Sequence, residues 1–328
     1  MSGNITFKYN RKLLDKRSES MIEIKARGLG FPEGPIALKT GEILICDLYG
    51  GTVLKVEGDR SSVFAQLGGS PNGLAMGADN WLYVANNGGA MRWKREGEKL
   101  ISEGFQETGF DTRIERINLY SGKVERILNQ VGGQKLQAID DLIFDTNNGF
   151  WFTDLGRDGK DSRTYGGIYW SSADGSKSTR AAYPIVNGAN GIGLSPDGKT
   201  LYATEYGAGR LWAWTIGEPG VLCKSGDQKH GGKLIWQSPD ATLLDSLAIS
   251  ASGNIIIATQ PTGVFSIISP TGELVDTVDM PEDFPTNLCF DQNNPYVAYA
   301  TLSQTGCLAT ILWPEPGFNP QIPIDNLI

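Results

Sequence analysis

The sequence predicts an all-β chain closed into a six-bladed β-propeller around a polar central channel, and three observations carry that prediction. One segment, polar at its first position and apolar after it, is written six times along 328 residues. Each copy opens a strand-length run, passes a polar turn and enters a second run, which reads as a hairpin. No window of 18 residues carries a helical apolar stripe, so the sheets must close on themselves or pack face to face.

The first copy is Glu33-Gly34-Pro35-Ile36, turning at Lys39-Thr40-Gly41 into a run that ends at Asp47. The second, Asn72-Gly73-Leu74-Ala75, turns at Ala78-Asp79-Asn80 into Trp81-Leu82-Tyr83-Val84 and ends at Asn86. Asp140-Asp141-Leu142-Ile143 follows, turning at Asn147-Asn148-Gly149 into Trp151-Phe152-Thr153-Asp154. The fourth copy, Asn190-Gly191-Ile192-Gly193, turns at Pro196-Asp197-Gly198 and ends at Glu205. Asp245-Ser246-Leu247-Ala248 turns at Ala251-Ser252-Gly253 and ends at Thr259, and Asn287-Leu288-Cys289-Phe290 turns at Gln292-Asn293-Asn294 and ends at Thr301. From opening residue to the end of the second run the offset is 14 in five copies and 15 in the fourth. Successive openings lie 39 to 68 residues apart, which suits four-stranded blades with loops of variable length.

If the run after each opening is the innermost strand, Glu33, Asn72, Asp140, Asn190, Asp245 and Asn287 ring one mouth of the channel. The residues ending the second runs then sit one strand further out at the same mouth. A partly dehydrated ring of carboxylates and amides needs partners, either a cation or a polar ligand. Asn and Asp also shape tight strand entries through local bonds to backbone. Glu33, a poor turn former, is the opening that local shaping explains least well.

The rest of the chain narrows the chemistry. A net charge of −8 disfavours nucleic acid and anionic membrane surfaces as partners. No apolar run is long enough to span a bilayer. Residues 1–20, basic but without an apolar core, read as an N-terminal extension rather than a secretory signal, leaving residues 21–328 as one propeller domain and the cytoplasm as the expected compartment. The triplet Asn4-Ile5-Thr6 fits a glycosylation acceptor, a pattern that arises by chance and does not suit that compartment. Cys46, Cys223, Cys289 and Cys307 are isolated and read mostly as buried thiols. His230, the single histidine, lies in a polar stretch that reads as a solvated connection, which leaves no imidazole set for zinc and little basis for a Ser-His-Asp triad. Residues 193–200 fit the phosphate-loop pattern, yet a strand follows them and the sister copies place hairpin turns there. The insert over residues 88–109, carrying Met91, Trp93 and Phe105, reads either as a roof over the mouth or as a packed blade connection.

Taken in order, Gly30-Phe31-Pro32-Glu33-Gly34-Pro35, Ser70-Pro71-Asn72-Gly73-Leu74, the run from Gly149 to Asp154, the run from Asn190 to Gly198 and Asp245-Ser246-Leu247-Ala248 resemble the SMP-30, gluconolactonase and luciferin-regenerating enzyme family over residues 24–316. The resemblance implies a metal-dependent lactonase in which Glu33, Asn190 and Asp245 hold one divalent cation. Oxygen ligands without imidazole or thiolate favour calcium first, with magnesium, manganese, zinc or ferrous iron as alternatives. The third blade departs from the family, placing Asp140 where relatives have Asn and Ala138 where some carry a basic residue. The implied chemistry is hydrolysis of a small lactone, sugar-type or other, by metal-activated water, with Asp245 and Asp140 the two candidates for the base. Asn72, Asn86, Asn87 and Asp140 are the expected substrate contacts, and Asp154 and Glu205 the expected support behind them. Another ester hydrolase or lyase reaction on the same ring, and a propeller that only binds, are the alternatives.

Overall fold

Each repeat folds into an antiparallel sheet whose first strand lies along the axis. The computed structural model describes residues 22–240 and 242–319; the extension over 1–20 and its Asn4-Ile5-Thr6 triplet lie outside them. The innermost strands are Pro32–Ala37, Pro71–Met76, Ile139–Phe144, Ala189–Leu194, Leu243–Ile249 and Pro285–Phe290, and they pack on one another in ring order, the last against the first. Around them stand six blades of four or five strands. The sixth closes the ring: Ile22–Arg27, the first strand described, pairs antiparallel with Cys307–Leu312. Among the described residues the only helical turn is the short 3-10 turn Tyr206–Ala208.

The core lies between blades because each sheet presents apolar residues to both neighbours. Tyr83, Phe144, Phe150 and Phe152 interlock between the second and third blades, with ring centroids 4.8 to 5.8 Å apart. Trp151, Trp170, Trp212 and Trp214 fill the next interface as buried side chains, the packing role their strand positions predict. His230 departs from its expectation. It is buried, its ring meets those of Trp212 and Trp214 edge-on, and its Nδ1 accepts the Gly232 N–H at 3.1 Å. The two tryptophans supply an apolar seat that the polar loop sequence conceals. Cys46 and Cys307 are buried, Cys289 is half-buried and Cys223 is exposed. The phosphate-loop look-alike is a hairpin turn closed by Gly198 N–H to Ser195 O at 2.8 Å, followed by strand Thr200–Glu205.

One irregularity recurs in every blade. Pairing between the first and second strands shifts register just after the opening residue, between Glu33 and Ile36, Pro71 and Leu74, Ile139 and Leu142, Ala189 and Ile192, Leu244 and Leu247, and Pro285 and Asn287. Such bulges re-aim side chains. Here two successive residues escape the alternation, the first facing one mouth and the second facing inward or toward the other. Gly34 and Gly191 fill second positions because a Cβ on Gly34 would collide with the Asn72 carbonyl, and one on Gly191 with the backbone of residues 245–247. Hydroxyls take up the backbone groups that the bulges free. Thr204 Oγ1 accepts the Gly191 N–H at 2.8 Å and donates to Asp245 O at 2.9 Å, joining the fourth blade to the fifth.

The residues that end the second strands also have a structural task. Asp47 accepts the Phe31 N–H at 3.0 Å, Asn86 that of Ser70 at 3.0 Å, Asp154 those of Gln137 and Ala138 at 2.8 and 2.9 Å, and Glu205 that of Asn187 at 3.1 Å. Each one fixes the loop that enters its own blade's innermost strand.

Candidate active site

Register places the opening residues of the first five copies in one ring, and the sixth place is taken by Thr286 rather than Asn287. Counting back from the strand ends at Ala37 and Phe290 aligns Glu33 with Thr286, and Asn287 with Gly34. Glu33, Asn72, Asp140, Asn190, Asp245 and Thr286 are all buried and together floor a cavity of about 630 Å³. Asn287 faces the opposite end of the channel and still reaches the ring, donating Nδ2 to Glu33 Oε2 at 3.0 Å.

The carboxylates are held by amides. Glu33 Oε2 also accepts the Gly34 N–H at 2.7 Å. Asn72 Nδ2 donates to Asp140 Oδ2 at 2.9 Å. Gln260 Nε2 donates to Asp245 Oδ2 at 2.6 Å and to Pro285 O at 3.0 Å, while its Oε1 accepts the Tyr206 hydroxyl at 3.2 Å. Gln260 and Tyr206 both border the cavity, and the sequence reading missed them. A glutamine closing the run Ile255-Ile256-Ile257-Ala258-Thr259 was the available signal, since a polar side chain in so apolar a strand needs a buried partner.

Among the described residues Arg163 is the only basic one bordering the cavity, and it stands at the rim, ion-paired with Asp158 at 3.2 Å. The floor itself therefore gathers the carboxyl groups of Glu33, Asp140 and Asp245 at close quarters. Burial, opposed by the Gly34, Asn287 and Thr286 hydrogen bonds, pushes Glu33 up to about 7. Burial and then the neighbouring charges of Asp245 and Glu33 push Asp140 well above the carboxylate range; burial and Glu33 do the same to Asp245, against hydrogen bonds from Asn190 and Gln260. Asp141, one residue below the ring, rises to about 7, chiefly through burial.

This donor set fits a hard divalent cation. Asn190 Oδ1 is buried without a hydrogen-bond partner, a position that a donor or a cation must satisfy. It shares the floor with the carboxyl groups of Glu33, Asp140 and Asp245, and among the described residues no basic side chain stands on that floor. Among the described residues no three His, Cys, Asp or Glu side chains converge into a cation cage by themselves.

Asn86 and Asn87 do not border the cavity. Asn86 is fully engaged, accepting from Ser70 and Gly88 and donating to Gly68 O and Glu115 Oε1 at 3.0 and 2.7 Å. Asn87 Oδ1 accepts the Ala90 N–H at 3.3 Å, where the insert begins. Asp154 and Glu205 support the site indirectly, through the entry loops.

The insert folds as the hairpin Met91–Glu96 and Lys99–Phe105, and it roofs the mouth. Its Leu100 N–H donates to Gln304 O of the sixth blade at 2.9 Å, and Trp93 packs on Phe31 of the first with centroids 4.9 Å apart. From the third blade Arg157 donates to the carbonyls of Gln106 and Glu107 at 2.9 and 2.7 Å and lies over the Phe110 ring.

A six-bladed propeller with carboxylates and amides ringed at one mouth defines the class. The chain belongs to the SMP-30/Gluconolactonase/LRE-like family, whose region matches residues 31–301. It is 26% identical over 279 residues to lactonase drp35 of Staphylococcus saprophyticus, spanning 83% of this chain and 76% of that one. Among solved structures it is similar to the gluconolactonase XC5397 of Xanthomonas campestris (TM-score 0.70, 21% identity, 89% of each chain). It is also similar to the calcium-binding protein regucalcin of Agrobacterium tumefaciens (TM-score 0.67, 16% identity, 88% of this chain and 91% of that one). These structural likenesses establish the shared fold.

Proposed function

We propose that the chain is a metal-dependent lactonase whose site is the ring floored by Glu33, Asp140, Asn190 and Asp245. The observation that carries this reading is the unpartnered, buried Asn190 Oδ1 on a floor shared with the carboxyl groups of Glu33, Asp140 and Asp245. The name of the relative lactonase drp35 supports the same activity. A divalent cation, calcium first, held by Glu33, Asn190 and Asp245 would supply Lewis-acid polarisation of the ester carbonyl and charge balance for the floor.

The chain's own groups do the remainder. Asn72 fixes one oxygen of Asp140, and the carboxylate borders the cavity with its other oxygen available to a water. Asp140 takes a proton from the water that attacks the carbonyl carbon, then returns it to the ring oxygen as the ring C–O bond breaks, leaving a hydroxy acid. Asp245 is the second candidate for this base; its Oδ2 is already bound by Gln260.

The test is metal analysis of the purified protein together with pH-stat assays on a panel of lactones and linear esters, before and after chelation. We expect one divalent cation per chain and lactone hydrolysis that is lost on chelation and restored by added cation. Full turnover by verified metal-free protein would overturn the reading.

A further inference from the structure

Above its polar floor the cavity's lining is mostly apolar. Above the ring its walls carry Phe31, Leu48, Met91, Ile101, Phe105 and Phe284, supplied by the first blade, the roof hairpin and the connection between the fifth and sixth blades. All but Leu48 are only partly buried, with apolar surface left open. Several of the polar groups that do stand at wall height are already engaged. Asn187 Nδ2 donates to Glu205 Oε1 at 2.9 Å, Arg163 is paired with Asp158, Ser102 Oγ turns to Met91 Sδ at 3.5 Å and the Tyr206 hydroxyl donates to Gln260.

A polyhydroxylated ring in this space would exchange water for walls with few free partners, and each unmatched hydroxyl is costly. An alkyl or aryl group there would instead cover exposed apolar surface. The volume, about 630 Å³, lies in the range that accommodates a ligand larger than a bare lactone ring.

We propose that the substrate is an amphipathic lactone, with its ester at the ring of Glu33, Asp140, Asn190 and Asp245 and a bulky apolar substituent under the roof, and that Ile101 and Phe105 select for that substituent. This inference rests on the lactonase reading above. It makes the second-blade insert the specificity element, since the insert supplies Met91, Ile101 and Phe105 together.

The experiment compares three probes on the full chain loaded with Ca²⁺: δ-decalactone, with its pentyl tail, δ-valerolactone, with the same ring and no tail, and D-glucono-δ-lactone, with a hydroxylated ring. The expected kcat/KM for δ-decalactone exceeds that of each of the others by about tenfold or more. In Ile101→Asp, and in the milder β-branched Ile101→Thr, the ratio of δ-decalactone to δ-valerolactone should fall, by about tenfold in the aspartate variant, mainly through KM. Turnover that favours D-glucono-δ-lactone overturns the amphipathic substrate while leaving a lactonase. A ratio unmoved in the folded Ile101→Thr and Ile101→Asp proteins overturns the role of the roof. Hydrolysis of none of the three by metal-loaded protein overturns the lactonase reading and this inference with it.

Discussion

Gln260 holds Asp245 by a 2.6 Å hydrogen bond from Nε2 to Oδ2, and the same amide ties Tyr206 and the Pro285 carbonyl to the ring. Gln260 lies one residue past Thr259, where the second strand of the fifth blade meets Leu243. It therefore acts as a positioning residue for Asp245. Gln260→Leu keeps the volume and removes the bond, leaving Asp245 buried with one fewer donor. We expect kcat to fall by about tenfold, near 1.4 kcal/mol of transition-state stabilisation, with a smaller change in KM. Steady-state kinetics with parental values would show that Asp245 is held without it.

Asp140 and Asp245 divide the proposed chemistry, and amide substitutions separate them. Asp140→Asn preserves shape and removes the proposed base, so kcat should drop by about 100-fold at near-normal metal content, within the usual range for a general base. Asp245→Asn should lower metal occupancy as well as turnover. Metal analysis beside kinetics reads the difference, and mild, equal effects from both would place the chemistry on other residues.

The buried carboxylates make metal-free protein sensitive to rising pH. Glu33 and Asp141 rise to about 7 from ordinary values of 4.5 and 3.8, because folding favours their neutral forms. A raised folded-state value contributes stability that is fully present below the unfolded value and is lost as pH rises through about 7. Metal-free protein should therefore lose Tm between about pH 5 and about pH 8, and added Ca²⁺ should raise Tm more at the higher pH, where it meets ionised ligands. Thermal melts over that range check the sign, and a metal-free Tm that climbs with pH would contradict it.

Thr204→Val tests the bridges between blades. It strands the Gly191 N–H and the Asp245 carbonyl, both now satisfied by one hydroxyl. A loss of about 1–3 kcal/mol is expected by denaturant unfolding. Thr204→Ser, which keeps the hydroxyl, should recover most of that stability.

The blade number and five ring positions were legible in the sequence because a polar residue before an apolar run is a local signal. The sixth position slipped by one. At a bulge two adjacent residues leave the strand alternation, and Asn287 is the more conspicuous polar residue of the pair Thr286-Asn287. Asn86 and Asn87 stand beside the ring in sequence and turn away from the cavity, since the amide ending a second strand is needed by the loop of its own blade. His230 and Gln260 were misread or missed because each gets its environment from a neighbouring strand of its own blade, Trp212 for the first and Asp245 for the second, rather than from the residues beside it in sequence. The length of the insert was visible; its course across the mouth depends on Gln304 and Arg157, which no local pattern connects to it.

The pairing of Ile22–Arg27 with Cys307–Leu312 gives the propeller the character of a clasped band. A pairing between segments so widely separated in sequence is slow to form, so the clasp should fasten late in folding. Until it fastens, the sixth blade lacks its outer strand, and Asn287 and Thr286 belong to an unfinished sheet beside Glu33. A cation that gathers Glu33, Asn190 and Asp245 would then bind best to the fastened band and resist its opening, so that the catalytic ion would also act as a lock on the circumference.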